Sequence, residues 1–241
     1  PSKNTPIDHM EAFYKDFDSI QTEKYDGMIV TGAPLGQIDL EEVTFWGAMK
    51  DILDWTTTNV TSTMFLCWAV QAAMRHLYGV PKYLLPKKIS GVYPHRLVKR
   101  LSPIVRGFDD IFDAPHSRYA EVREEDILAL SELVIVADSE RAGPYIIASK
   151  NGRQLFVTGH SEYEPSCLLD EYKRDLRAGI NPEIPENYFP NNDPSKKPIV
   201  TWKSHGNLLF SNWLNYYVYQ LTPYESEQIG ETMRKATVEL S

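Results

Sequence analysis

Residues 60–78 place a cysteine at the point where a strand gives way to a helix. Val60–Leu66 is short and apolar or β-branched, which predicts a buried strand. Trp68–Tyr78 lacks glycine and proline and is rich in Ala, Gln, Met and Leu, which predicts a helix. Cys67 lies between them, where free backbone N–H groups and the positive end of the helix dipole stabilise a thiolate. A cysteine on such a turn is the thiol counterpart of the nucleophile elbow of hydrolases.

The cysteine content limits the other interpretations of Cys67. The 241 residues contain two cysteines, Cys67 and Cys167, which predicts a reducing compartment without a disulfide framework. A bridge between the two is one alternative. Inert packing of Cys67 is another, because free cysteines are among the most buried residues. Cys167 falls inside a predicted helix with no base nearby in sequence, so we expect it to be inert. With no further cysteine and no closely spaced histidine pair, we predict no metal site.

A cysteine nucleophile needs a base that holds it as thiolate, and the base needs an acidic partner. Of six histidines, His160 stands just beyond a predicted strand end, and Glu162 follows two residues later, close enough to hold the imidazole tautomer. His-x-Glu alone is a common pattern, and it gains weight here from the cysteine turn. The alternative for His160 is a capped loop histidine. For His205, helix capping or packing is the expectation.

The order of elements predicts the fold class. Residues 25–31 form a short apolar strand, and it ends in a turn at residues 32–36, the place where ligands bind in open α/β sheets. Residues 41–58 have helical spacing and precede the strand that leads to Cys67. Strand, helix, strand, helix is typical of a parallel sheet with crossover helices. The sequence therefore predicts an α/β fold with a doubly wound, mostly parallel sheet.

Weaker patterns predict the remaining elements. We expect helices at 8–20, 165–179 and 205–221, strands at 133–137, 145–149 and 154–158, an edge strand within 88–101, a polar loop within 104–121, and a long loop at 181–198. Asn151-Gly152 predicts a type I′ turn between two of the strands. Polar loop and helix occupy the place where a doubly wound sheet normally has its first strand, so we expect the chain to begin inside a domain.

Charge and hydropathy exclude several classes of protein. A net charge of −8 argues against nucleic acid as the main partner. There is no run of about 18 apolar residues and no signal peptide, so we expect no membrane segment and a cytoplasmic location. Residues 55–108 contain no acidic residue but eight basic ones: Arg75, Lys82, Lys87, Lys88, Arg96, Lys99, Arg100 and Arg106. This segment suits a small polyanionic substrate, and a solvated basic face is the equal alternative.

Long stretches of the sequence match a known pattern. They are S-K-N-T-P (2–6), T-G-A-P-L-G (31–36), T-S-T-M-F-L-C-W-A-V-Q-A-A (61–73), Y-G-V-P-K (78–82), P-H-S-R (115–118), V-T-G-H-S-E-Y (157–163), N-Y-F-P-N-N-D-P (187–194) and W-K-S-H-G-N-L-L-F-S-N-W-L-N-Y-Y-V-Y-Q (202–220). Together they resemble the homoserine O-acyltransferases of methionine biosynthesis, and within them the homoserine O-succinyltransferase family. The resemblance implies a flavodoxin-like sheet and a Cys-His-Glu triad, as in the related class I glutamine amidotransferases.

The resemblance also implies roles for individual residues. Cys67 would be the acylated nucleophile, His160 the base and Glu162 its partner. The substrate pocket would be lined by Lys88, Ser117 and Arg174, and the oxyanion would be bound by the backbone N–H groups of Leu35 and Trp68. Gly36 and Ser117 would set the acyl donor. In the family, a glycine at the position of Gly36 goes with succinyl-CoA and a glutamate with acetyl-CoA.

The resemblance implies succinyl transfer from succinyl-CoA to L-homoserine, with no cofactor and with a homodimer favoured by the aromatic helix at 208–220. The acyltransferase domain would span residues 1–224, followed by a charged tail at 225–241. Three departures from the family pattern are expected to matter: Ser161 replaces the usual proline, the segment of two strands that family members carry before S-K-N-T-P would be missing, and Phe65 and Ala69 replace the glycines of glutaminase elbows. The alternatives are acetyl transfer, glutamine hydrolysis and a non-catalytic binding domain.

Overall fold

The computed structural model describes residues 13–223. Its strands are β1 (Tyr25–Val30), β2 (Val60–Leu66), β3 (Tyr83–Leu97), β4 (Ile111–Glu121), β5 (Leu133–Ser139), β6 (Gly143–Ser149) and β7 (Gln154–Val157). Its α-helices are α1 (Phe17–Ile20), α2 (Trp46–Asn59), α3 (Trp68–Tyr78), α4 (Glu124–Leu128), α5 (Cys167–Arg177) and α6 (Lys203–Asn212), and a π-helix, Trp213–Tyr219, continues α6. Short 3₁₀ turns occupy Leu40–Glu42, Pro103–Val105 and Pro190–Asn192.

The strands of this region form one mixed sheet in the order β1-β2-β7-β6-β5-β3-β4. The β1–β2 and β2–β7 pairs are parallel, and the other pairs are antiparallel. The prediction of a mostly parallel sheet is therefore wrong for the part of the sheet that runs from β7 to β4. The loops between β5, β6 and β7 are too short for a crossover, so these strands run as hairpins. The parallel part is confined to β1, β2 and β7, which lead to the turn at 32–36, to Cys67 and to His160.

Helices cover both faces of the sheet, as expected for a doubly wound fold. Alternate residues of β2 point to opposite faces, so Phe65 enters a core with α2 and α3, whereas Met64 enters a second core with α6 and the π-helix. All of β2 except Thr61 is buried. A strand buried on both faces has no polar side in its sequence, which is why residues 60–66 were recognisable as a strand.

The polar loop predicted within residues 104–121 is wrong, because residues 111–121 form β4. Phe112, Ala114, His116, Arg118 and Ala120 are all buried on one side of this strand. Two of these side chains are ionisable, so the alternation did not appear hydrophobic in the sequence. Proline at position 115 is tolerated because β4 is the last strand of the described sheet, where one row of N–H groups has no strand partner. The neighbouring β3 was predicted as an edge strand but lies between β4 and β5.

Other predicted elements differ in their bounds. The helix at 41–58 is divided into a 3₁₀ turn and α2. Of the helix at 8–20, the described part is helical from Phe17, with Asp16 as its N-cap, and the rest lies outside the described residues. The hairpin at 150–153 is present, but only Gly152 of the Asn-Gly pair has positive φ, so the turn is not type I′. The predicted tail at 225–241 also lies outside the described residues.

Candidate active site

Cys67 lies on a strained strand-to-helix turn at the carboxyl ends of the parallel strands. Cys67 is the N-cap of α3 and has φ 52° and ψ −111°, a conformation that non-glycine residues rarely adopt. Its N–H donates to the carbonyl of Val157, the last residue of β7, at 2.9 Å. Because β2 and β7 are parallel neighbours, their carboxyl ends meet at one edge of the sheet. This register brings Cys67 close to His160, which follows β7 by three residues.

Two glycines let other segments approach this elbow closely. A Cβ atom on Gly32, just after β1, would lie 3.2 Å from Cβ of Cys67. A Cβ atom on Gly159 would lie 2.7 Å from the carbonyl oxygen of Pro115. That same oxygen accepts a hydrogen bond from the N–H of His160 at 2.8 Å. The backbone of β4 therefore fixes the base, and only glycine before the base permits this approach.

The base and its partner are in direct contact. Nδ1 of His160 lies 2.6 Å from Oε1 of Glu162, and the imidazole is buried. Burial alone would lower the pKa of His160, but hydrogen bonding to Cys67 and to Glu162 outweighs it and raises that pKa to about 10. The raised pKa favours the imidazolium form, which can pair with a thiolate on Cys67. Glu162 holds the Nδ1 proton, which leaves Nε2 for the sulfur.

Replacement of Glu162 by glutamine is expected to lower the pKa of His160 below about 10. Glutamine keeps the size of the side chain but removes the negative charge that favours the imidazolium. The titration of the His160 ring protons by NMR measures this shift. A titration midpoint that stays unchanged in the folded variant would show that Glu162 does not act on the base.

A further aromatic residue connects the base to the substrate side of the site. Tyr163 stacks on the imidazole of His160 with ring centroids 4.2 Å apart and planes inclined by 16°. Its hydroxyl donates to Oε1 of Glu171 at 2.7 Å. Glu171 also accepts from Ser117 and, at 3.2 Å, from Lys88. Burial would raise the pKa of Glu171, but these donors outweigh it and lower that pKa, so the carboxylate stays ionised.

The predicted substrate arginine is held in a fixed orientation. Nε and Nη2 of Arg174 donate to Oδ1 of the buried Asp175 at 2.9 and 2.8 Å. Lys88 lies 3.2 Å from the other oxygen of Asp175. The Arg174 side chain is 63 % exposed, and Arg174 lines the cleft. Glu171, Asp175 and Tyr163 were missed in the sequence. The helical spacing of Glu171 and Asp175 was visible, but the face of α5 that meets the sheet was not, and Tyr163 lies before that helix.

A cleft of about 460 Å³ opens over these groups. Its lining includes the predicted residues Gly36, Cys67, Trp68, Lys88, Ser117, His160, Glu162 and Arg174. Leu35 is not among them. Its N–H donates to the carbonyl of Ala33 at 2.8 Å, and its side chain packs against the core. The predicted oxyanion role of Leu35 therefore stays a prediction that requires this hydrogen bond to break. Trp68, by contrast, is the first residue of α3, where helical N–H groups are free.

The basic segment does not form a continuous surface for phosphates. Several of its side chains pair with acidic residues: Arg75 with Glu41, Lys87 with Glu183, Arg96 with Asp138 and Arg100 with Asp110. Of the eight basic residues of this segment, all within the described residues, only Lys88 lines the cleft. The alternative of a solvated basic face therefore describes most of it.

Both cysteines are free, so the alternative of a Cys67–Cys167 disulfide is wrong. Among residues 13–223 there is no group of three or more His, Cys, Asp and Glu side chains arranged to hold a metal ion. No helix in this part of the chain is long and apolar enough to cross a membrane.

Solved structures with similar folds agree with the predicted fold family. A glutamine amidotransferase from Thermotoga maritima superposes with a TM-score of 0.56 at 14% identity, covering 88% of this chain and 80% of that one. A glutamine amidotransferase from Methylobacillus flagellatus gives 0.56 at 12% identity, with 78% and 76% covered. The predicted class I glutamine amidotransferase-like fold is confirmed.

Sequence comparison is far more specific than the fold. The homoserine O-acetyltransferase of Bacteroides fragilis strain YCH46 is 55% identical over 228 residues, which are 95% of this chain and 75% of that protein. The homoserine O-succinyltransferase of Tolumonas auensis is 55% identical over 230 residues, 95% and 73% of the two chains. The family model of homoserine O-succinyltransferase matches residues 1–224. The chain therefore belongs to the homoserine O-succinyltransferase family, a family of homoserine O-acyltransferases.

Proposed function

We propose that this chain transfers a succinyl group from succinyl-CoA to the hydroxyl of L-homoserine through a thioester on Cys67. The observation that carries the proposal is the elbow geometry. A cysteine in a strained conformation at a helix N-terminus shares one cleft with a histidine whose pKa is raised, its carboxylate partner and a guanidinium that is bound to Asp175. The product would be O-succinyl-L-homoserine, which belongs to methionine biosynthesis.

The first half-reaction forms the acyl-enzyme. The sulfur of Cys67 attacks the carbonyl carbon of the CoA thioester, and negative charge develops on the carbonyl oxygen. The N–H of Trp68 is positioned to bind this oxyanion, and one such donor typically contributes about 3 kcal/mol. The bond from carbon to the CoA sulfur then breaks, and the His160 imidazolium gives its proton to the leaving CoA thiolate.

The second half-reaction transfers the acyl group to the acceptor. The homoserine hydroxyl attacks the thioester carbon while neutral His160 takes the hydroxyl proton. The bond from carbon to the sulfur of Cys67 breaks, the ester leaves, and the thiolate–imidazolium pair is restored. These steps need no cofactor, because CoA enters and leaves as a co-substrate.

Charged side chains on α5 supply recognition of an amino acid. Asp175 occupies one edge of the Arg174 guanidinium, which leaves a second edge for a bidentate contact with the homoserine carboxylate. Glu171 remains ionised in the cleft, and a carboxylate has acceptor sites beyond the donors that already bind it. We therefore assign the homoserine ammonium to Glu171 and the carboxylate to Arg174.

The choice of acyl donor depends on Gly36. Relatives with acetyl- and succinyltransferase names are equally similar to this chain, so overall identity does not decide it. Gly36 lines the cleft, and a Cβ atom there would meet only Tyr119 and the N–H of Ala120 at 3.6 to 4.0 Å. A side chain at position 36 would therefore fit without strain and would project into the cleft. With glycine there, space remains for the distal carboxylate of a succinyl group.

Replacement of Gly36 by glutamate is expected to lower kcat/KM for succinyl-CoA by about 100-fold or more, since two carboxylates a few ångströms apart repel each other. Turnover with acetyl-CoA should be retained. Steady-state assays with the two CoA esters and homoserine measure both values.

Gly36→Gln is the matched control, because glutamine has the size of glutamate without its charge. A smaller loss for glutamine than for glutamate identifies charge as the cause. If the wild-type protein prefers acetyl-CoA, the succinyl assignment is wrong, although acyl transfer to homoserine stands.

Glutamine hydrolysis is the second candidate, because the similar solved structures are glutamine amidotransferases. The residues on either side of the elbow disfavour it. Glutaminase elbows have glycines two residues before and after the cysteine, whereas this chain has the buried Phe65 and Ala69. Release of ammonia from glutamine at a rate comparable to acyl transfer would favour this alternative. The homodimer and the cytoplasmic location stay predictions.

A further inference from the structure

Three ionisable side chains are buried, one of them in the lining of the cleft, and have no place in the mechanism above. His95 on β3 and His116 and Arg118 on β4 are 1 %, 0 % and 6 % exposed. They project from the same side of the two paired strands.

These side chains form one continuous hydrogen-bonded chain. Nη1 of Arg118 donates to Nδ1 of His116, and Nε2 of His116 lies 3.0 Å from Nε2 of His95. The guanidinium of Arg118 has only donors, so it fixes the direction of every hydrogen bond in this network. His116 must accept at Nδ1 and carry its proton on Nε2, from which it donates to His95. Nη2 of Arg118 donates to the carbonyl of Ala142 at 2.5 Å and anchors the other end.

The surroundings keep both imidazoles neutral. Burial lowers the pKa of His116 well below its usual range, and the charge of Arg118 lowers it further, as do His95 and His160. Burial lowers the pKa of His95 to about 3, with a further contribution from Arg118. A second proton on His116 would also remove the acceptor that the guanidinium needs. The pair therefore acts as a fixed acceptor for a cation.

Arg118, the cation of this hydrogen-bond network, has no carboxylate partner among the described residues. Within residues 13–223, Arg118 forms no ion pair with aspartate or glutamate, and its Nε, a buried atom, has no hydrogen-bond partner. A buried charge without a counter-ion is costly. Burial lowers the pKa of Arg118, and the largest opposing contribution comes from Cys67, ahead of Glu121 and Tyr93. Arg118 and Cys67 line the same cleft.

We propose that His95 and His116 are positioning residues that hold the buried guanidinium of Arg118 beside Cys67, where its charge stabilises the thiolate. The proposal rests on the role of Cys67 as nucleophile proposed above. In this proposal, the thiolate sulfur of Cys67 is the counter-ion that the buried Arg118 otherwise lacks. Arg118 then complements His160, since the sulfur has a fixed positive charge beside it, in addition to the imidazolium, both when it attacks as thiolate and when it leaves as thiolate.

Alkylation of Cys67 by iodoacetamide tests this assignment without any substrate. Iodoacetamide is neutral and reacts with the thiolate, so its rate against pH reports how readily the sulfur ionises. Replacement of Arg118 by methionine should lower the rate at mildly acidic pH by about tenfold or more, while the rate at high pH stays similar. Arg118→Lys keeps the positive charge but not the planar guanidinium, so its alkylation rate at mildly acidic pH should fall less than that of Arg118→Met. Labelling of Cys67→Ser gives the background from Cys167.

The histidines are tested by paired substitutions, because removal of a buried ring also leaves a cavity. His116→Leu removes the acceptor for Arg118, whereas His116→Asn offers a carbonyl oxygen near the position of Nδ1. His95→Leu likewise removes the acceptor for His116, whereas His95→Gln offers a carbonyl oxygen near the position of Nε2. In each pair, the dependence of the alkylation rate on pH should be closer to wild type in the amide variant than in the leucine variant. Arg96→Met serves as the control, since this exposed cation on β3 pairs with Asp138 and should leave alkylation unchanged.

The competing role for Arg118 is direct binding of a substrate carboxylate. That role predicts a raised KM for homoserine or succinyl-CoA in Arg118→Met with an unchanged alkylation profile, and this result in a folded variant overturns the proposal. Equal effects of the leucine and amide variants at both histidines also overturn it. If wild-type protein forms no acyl-enzyme yet alkylation responds to Arg118 as described, the proposed function fails and the thiolate assignment stands.

Discussion

Replacement of Cys67 by serine is expected to lower the rate of homoserine acylation by at least about 10³-fold. The hydroxyl fits the elbow and keeps the hydrogen bond from the backbone N–H to Val157, so the fold should persist. A serine hydroxyl, however, does not ionise near neutral pH, and His160 then has no thiolate partner. The measurement is CoA release with homoserine present, alongside circular dichroism to confirm folding.

Cys167→Ser is the matched control for this experiment. Cys167 is the other cysteine of the chain, begins α5, and does not line the cleft. Burial raises the pKa of its thiol, so it is a poor nucleophile at neutral pH. Activity close to wild type is expected for Cys167→Ser. If Cys67→Ser keeps more than about a tenth of the activity, the sulfur is not the nucleophile.

Replacement of His160 by glutamine is expected to lower turnover by about 10³-fold, within the range that a positioned acid and base contributes. Glutamine cannot donate a proton to leaving CoA or take one from homoserine. It also removes the imidazolium that supports the thiolate, so alkylation of Cys67 at mildly acidic pH should slow as well. Loss of turnover without slower alkylation would assign His160 to proton transfer alone.

His76→Gln is the control for the histidine substitution. His76 lies on α3 and pairs with Asp54 at 2.8 Å on the outside of the helix. It is in the same helix as the elbow but does not line the cleft. A loss of more than about tenfold in this variant would mean that helix stability, and not the base, limits the rate.

The placement of Cys67 between a strand and a helix could be predicted from local sequence because its physical causes are local. The apolar run of β2 and the glycine-free α3 set the bounds Val60–Leu66 and Trp68–Tyr78, and both agree with the structure. The position of His160 after a strand end was equally visible. That β7 lies beside β2, which brings the histidine to the cysteine, is a property of the sheet order. It was implied by the resemblance and not by spacing.

The parts that were missed depend on contacts between distant segments. The strand β4 carries His116 and Arg118 toward the interior, and their polarity predicted a loop. Burial of such groups is possible only because other segments supply partners: His95 from β3 and the carbonyl of Ala142. The network around Glu171 has the same origin, since its donors come from three elements separated by long stretches of chain. No local pattern encodes these partners.

The most direct test of this account is the mass of the protein after exposure to succinyl-CoA in the absence of homoserine. The account predicts an added mass of one succinyl group on the peptide that contains Cys67. The adduct should be absent from Cys67→Ser and should disappear when homoserine is added. Rapid turnover with no adduct, or an adduct on any other residue that homoserine discharges, would contradict the acyl-enzyme on which the account depends.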